Sequence, residues 1–118
     1  MIHDLKSIYV IDLEKEHTTV RESLLRISLE LATARAMGVS VVKIVHGMRE
    51  PERVNYLGRR VRTLVRAEFR AGRLRMVIRG EHYTRDDSMT ADLIENCPYV
   101  DSDPDLDAPT AAFTVVYI

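Results

Sequence analysis

Two carboxylates and an imidazole stand where two predicted strands of this chain end. Asp12 and Glu14 flank a leucine at the end of the first strand, and His46 ends the second. Because ligands of α/β sheets gather at the carboxyl ends of parallel strands, these side chains are expected to adjoin. A carboxylate can orient or deprotonate water while an imidazole protonates a leaving oxygen. The spacing predicts a hydrolytic site; the alternative is that the two acids are solvated loop residues and His46 caps a turn.

Arginines are concentrated in the middle of the chain. Residues 49–79 contain ten arginines and three glutamates, whereas residues 80–118 contain one arginine and nine acidic residues. A guanidinium is always charged, and its fork of donors matches phosphate oxygens. The arginines that precede the second predicted helix or recur along it are Arg49, Arg53, Arg59, Arg62, Arg66 and Arg70. They predict a surface that binds DNA or RNA; the alternatives are a solvated helix face or a stripe clamped by the chain's own acids.

Composition excludes several other classes. The 118 residues are 46% hydrophobic and 30% charged, which is typical of one globular domain. The lone Cys97, the absence of a signal sequence and the absence of a long apolar run favour a cytoplasmic protein with no membrane partner. No phosphate-loop or dinucleotide motif is present, so no cofactor is expected. The strand-end carboxylates could also hold a divalent cation, but fewer than three ligands are available there, so no metal-binding residues are assigned. With seven aromatic residues and no tryptophan, stacking of bases on an aromatic platform is not expected either.

The hydrophobic pattern predicts the elements that position these residues. Strands are predicted over residues 7–13, 41–45, 74–79 and 112–118, with helices from the Thr19–Glu22 capping box to Gly38 and from Leu57 to Gly72. The order βαβαβ, a long loop and a final β predicts an α/β two-layer sandwich, in which two main helices cover one face of a small mixed four-stranded sheet. The first two strands are expected to be parallel. The other face of the sheet is left for a partner.

Residues 80–110 are predicted to be an acidic loop insertion, in which residues 88–96 could hold a short helix. Asp101, Asp103, Asp105 and Asp107 alternate like calcium ligands, but the segment lacks the glycine and the terminal glutamate of an EF-hand loop. The sequence therefore favours a flexible acidic tail that screens the arginines.

The arrangement of motifs resembles the Smr (small MutS-related) domain family over nearly the whole chain, residues 1–118, taken as a single domain. The matching segments are Ile11-Asp12-Leu13, the helix ending in Gly38, Ile44-Val45-His46-Gly47, and Phe113-Thr114-Val115-Val116-Tyr117. The resemblance implies an α/β two-layer sandwich akin to the C-terminal domain of bacterial translation initiation factor three. It also implies nucleic-acid binding and, as in several members, nicking or cleavage of DNA or RNA.

The chain departs from the family motifs at residues that catalysis would use. Glu14 and Lys15 stand where the family has His and Gly, which leaves His17 as the nearest imidazole, and Arg49 stands where a glycine is usual. Gly47, which the resemblance places at the bound phosphate, is retained. The resemblance thus implies a divergent module that binds structured DNA or RNA, with metal-dependent or metal-independent nicking endonuclease activity that is weak or lost. The alternative is a non-catalytic protein–protein interaction or homodimerisation domain.

Overall fold

A computed structural model describes residues 5–15, 18–50 and 53–118. Its strands are β1 (Leu5–Asp12), β2 (Val39–Val45), β3 (Met48–Glu50), β4 (Arg53–Val54), β5 (Met76–Arg79) and β6 (Phe113–Tyr117). Its α-helices are α1 (Val20–Ala36), α2 (Tyr56–Arg70) and α3 (Ser88–Asn96), with short 3-10 helices at Gly80–His82 and Pro98–Ser102. None of the helices in the described ranges combines the length and apolarity that a membrane crossing requires.

The four long strands form one mixed sheet in the order β1-β2-β6-β5. β1 and β2 are parallel, whereas β6 lies between β2 and β5 and is antiparallel to both. This confirms the predicted fold class and the parallel first pair. β3 and β4 form a separate small hairpin that joins β2 to α2.

Both long helices begin and end where the sequence predicts. The Thr19 hydroxyl accepts a hydrogen bond from the Glu22 amide at the start of α1 (3.1 Å). Asn55 does the same for α2, accepting from the Gly58 amide at 2.7 Å. Each helix is followed by a glycine with positive φ, Gly38 at 78° and Gly72 at 79°, a conformation that glycine adopts without steric cost.

The sheet has a hydrophobic core on each face. α1 and α2 cover one face, where Ile27 and Val65 pack against Ile44 and other strand residues. The segment from residue 80 to residue 106 covers the other, where Tyr83 and Leu93 pack with further buried side chains on strand residues. The expectation that the second face is left open for a partner is therefore wrong.

Ion pairs fix the acidic segment onto the second face. Lys43, a β2 residue with 5% of its surface exposed, donates to Asp103 (2.8 Å) and Asp105 (2.6 Å). Arg85 bonds the carboxylates of Asp101 and Asp107. The four aspartates therefore pair with Lys43 and Arg85, not with the arginines of α2. The prediction that these aspartates form a flexible tail that screens the arginines is therefore wrong. One acid of the 80–110 segment does reach α2, because Glu81 pairs with Arg62.

Candidate nucleic-acid interface

The ends of β1 and β2 bring the predicted acidic residues beside the turn that follows β2. The Asp12 carboxylate accepts from the Glu14 amide at 3.0 Å and lies 3.7 Å from the Lys15 ammonium. A Cβ built on Gly47 would lie 3.3 Å from Glu14 Oε2, so the Glu14 carboxylate rests against this turn. His17 lies outside the described residues.

His46 is buried beneath the same turn, with 1% of its surface exposed. Its Nδ1 lies 2.9 Å from the Gly47 carbonyl oxygen, so that nitrogen carries the proton and donates it. Its Nε2 lies 3.0 Å from the Thr114 hydroxyl and is then the acceptor. Both ring nitrogens are thus engaged by groups other than Asp12 and Glu14.

The surroundings of His46 keep it neutral. Burial lowers its pKa to about 4, and the Arg62 guanidinium adds to this effect, against the opposing influence of the Gly47 carbonyl. A general acid at neutral pH needs a transferable proton and access to the leaving group. The geometry of His46 supplies neither, which favours a structural role over the predicted catalytic one.

Gly58 lies against His46, and the sequence does not indicate it as a residue of the site. A Cβ there would lie 2.6 Å from His46 Nδ1 and 2.2 Å from Val54 Cγ2. Only a glycine lets the first turn of α2 pack this closely on the imidazole. The sequence shows only that Gly58 lies in the first turn of a capped helix, three residues after Asn55. It does not show that the helix packs there against His46, which lies twelve residues earlier in the chain.

Arg62 is likewise held inside the protein rather than in the exposed stripe predicted for it. Its side chain is 7% exposed and forms a two-pronged pair with the Glu81 carboxylate, with one contact at 2.9 Å. Its Nε donates to the Thr114 hydroxyl at 3.1 Å. Burial alone would raise the pKa of Glu81, but the hydrogen bonds from Arg62 hold it below its usual value. Arg62 is therefore already neutralised and serves as the base of the surface above it.

Above Arg62 lies an open groove of about 490 Å³, which we call the arginine groove. Its exposed cations are Arg53 from β4, Arg59 and Arg66 from α2, and Arg79 from the end of β5. The sequence does not indicate Arg79 as a member of this group, because only the placement of β5 beside α2 brings it to the groove.

The four groove arginines form no ion pair within the described part of the chain, although the charge of Arg79 helps to hold the pKa of the neighbouring Glu81 low. Glu81, the acid that lines the groove, is bonded to Arg62. Arg59 stacks over the Tyr56 ring, with its guanidinium carbon 5.6 Å from the ring centroid. The groove thus presents four positive charges to solvent.

The other residues predicted to bind nucleic acid lie outside this groove. Arg49 is exposed on β3, in the hairpin that also contains Arg53. Arg70 lines a neighbouring recess instead. The Gly47 amide, where φ is 81°, donates to the Ala112 carbonyl at 2.9 Å, so that this N–H is already used within the fold.

Comparisons with known proteins add no assignment. No protein-family model matches the chain, and no curated protein or solved structure shows significant similarity to it. Within the described ranges, no three His, Cys, Asp or Glu side chains are grouped so that they could hold a metal ion.

Proposed function

We propose that this protein is a nucleic-acid-binding module that contacts the phosphates of structured DNA or RNA through the arginine groove. One observation carries the proposal: four exposed arginines from three different elements line a single open groove and pair with no described acid. Arginines that served only the fold would be paired, as Arg62 is with Glu81.

The two α2 cations are far enough apart to contact different phosphates. Arg59 and Arg66 are seven residues apart on α2, which places their Cα atoms about 10 Å apart along the helix axis. This is about three times the 3.4 Å axial spacing of phosphates along one strand of a duplex. Arg53 and Arg79 add charge from the hairpin and from β5, so that the groove would follow several consecutive phosphates.

Acidic residues lie on the opposite face of the sheet, which favours binding of a polyanion at the groove. The aspartates of the 101–107 segment cover the other face of the sheet, together with Lys43 and Arg85. An acidic rear and a basic groove would turn the groove toward a polyanion during encounter.

Catalysis is not included in this proposal. The resemblance to the Smr family implies nicking, but the His46 imidazole is buried and bonded through both nitrogens. Nicking by Asp12 and Glu14 stays a prediction of the resemblance.

The test is a salt titration of binding to a fluorescently labelled oligonucleotide, followed by anisotropy. We expect affinity to fall as salt rises, and Arg66→Ala or Arg79→Ala to weaken binding and reduce the slope by about one. The matched control is Arg75→Ala: this exposed arginine stacks on Tyr117, whose ring lines a pocket on the other side of the sheet. A salt-independent affinity, or an equal effect of Arg75→Ala, would reject the proposal.

A further inference from the structure

A recess of about 350 Å³ opens beside the arginine groove and shares Arg66 and Arg79 with it. Its apolar lining comes from three elements: Phe69 in the last turns of α2, Val77 in β5 and Met89 in α3. The recess therefore combines an apolar surface with the cations that the groove uses for phosphate.

Two of the three apolar side chains of the recess are exposed to solvent, while Val77 is half-buried against the core. Phe69 is 44% exposed and Met89 is 42% exposed, whereas the aromatic Phe113 is 4% exposed. Arg70 lines the same recess, and like Arg66 and Arg79 it has no ion pair with a described residue. An occupant that matches both features needs a flat apolar body attached to a negative charge.

We propose that the recess receives one unpaired nucleotide, with its base against Phe69 and its phosphate on the shared arginines. This inference rests on the proposed function and narrows the ligand to single strands or to duplexes that carry an unpaired base. In a continuous duplex the base faces are covered by neighbouring base pairs, whereas an unpaired base can stack on an aromatic side chain. The volume is near the lower end of the range for small-molecule sites, which limits the occupant to about one nucleotide.

This mode of binding differs from the expectation based on composition. Few aromatics exclude a platform of several stacked bases, but one accessible ring beside a phosphate site is enough for a single base. Because every base has a π face, stacking on Phe69 discriminates paired from unpaired bases more than one base from another.

The test compares three oligonucleotides of equal length: a single strand, the same strand with its bases removed, and the perfect duplex. We expect the single strand to bind the wild-type protein most tightly. Phe69→Ala should weaken its binding about fivefold or more and leave binding of the abasic strand unchanged. Phe69→Tyr is the matched control, because it keeps the ring, and should retain the affinity. Thermal melting of each variant checks that the exposed position leaves the fold intact.

The outcomes separate this inference from the proposed function. If the abasic strand binds as tightly as the normal strand while Arg66→Ala still weakens both, the groove binds phosphates and the base site is rejected. If Phe69→Ala weakens both strands equally, the ring acts on the groove and not on a base, which also rejects it. If no strand shows salt-dependent binding, the proposed function itself fails.

Discussion

At the scale of single residues, one buried chain of hydrogen bonds links the β2 turn to the base of the arginine groove. The chain runs from the Gly47 carbonyl through His46, Thr114 and Arg62 to Glu81. Each donor and acceptor along it has a defined partner, so a proton added to His46 would remove the acceptor that Thr114 uses. The network therefore requires a neutral imidazole. Burial keeps the imidazole neutral because it lowers the pKa of His46.

The neutral imidazole predicts a specific pH dependence of stability. In the unfolded chain His46 takes up a proton below about pH 6.5, whereas burial lowers its pKa to about 4 in the fold. The unfolded state therefore binds an extra proton between these values, and the free energy of unfolding falls as the pH drops through this window. Through this shift in the pKa of His46, the free energy of unfolding is about 3 kcal/mol higher above pH 6.5 than below pH 4.

Urea unfolding at pH 7, 6, 5 and 4.5 measures this dependence. His46→Gln should flatten the fall in unfolding free energy between pH 6.5 and pH 4.5. His82→Gln, a change at an exposed histidine, should leave the fall unchanged. Equal pH profiles for wild type and His46→Gln would show that the fold does not lower the pKa of His46.

At the scale of elements, the sequence predicts the four-stranded sheet, α1, α2 and the short helix α3 over residues 88–96. It does not predict that the segment containing α3 covers the second face of the sheet. Continuous β-branched runs predict the strands, and apolar residues at helical spacing predict the helices. Caps such as Thr19 indicate where a helix begins. The buried residues of the second face, among them Tyr83, Val100 and Leu106, are separated by acidic residues at irregular intervals. Their burial depends on which strands the segment packs against and on the pairing of its acids with Lys43. Neither of these can be predicted from the local pattern of apolar and polar residues.

Lys43 should dominate the attachment of this cover. Lys43→Met removes the charge that compensates Asp103, whose side chain is 4% exposed, and should cost about 3–5 kcal/mol of unfolding free energy. Adding Asp103→Asn to that variant should recover part of the loss, because the uncompensated charge is then gone. Denaturant unfolding measures both.

Arg85→Ala is the matched control for Lys43→Met. Arg85 also pairs with two carboxylates, but its side chain is 50% exposed, so solvent screens both pairs and their loss should matter far less. Equal losses for Arg85→Ala and Lys43→Met would contradict a dominant buried clamp.

At the scale of the whole molecule, a chain of net charge −1 carries its charges on separate surfaces. The sequence shows this segregation along the chain but not its consequence. Arg62 and Arg66 are consecutive members of one predicted stripe, yet Arg62 is buried because Thr114 and Glu81 lie against it. Arg79, outside the stripe, joins the groove. The sequence thus shows which arginines could bind a phosphate. Whether each of them is exposed depends on the strand order, which brings distant residues together.

The same segregation predicts that binding follows the groove and not the net charge. Asp92→Asn with Glu95→Gln removes two exposed carboxylates that line neither the groove nor the recess. At physiological salt the screening length is about 8 Å, so this variant should change oligonucleotide affinity by less than about twofold. Arg66→Ala changes the net charge by half as much, yet it should weaken binding clearly, because its guanidinium would contact phosphate directly. Anisotropy titrations of both variants in one buffer make the comparison. A large gain in affinity for the double variant would mean that overall charge governs binding, and the groove would lose its special role.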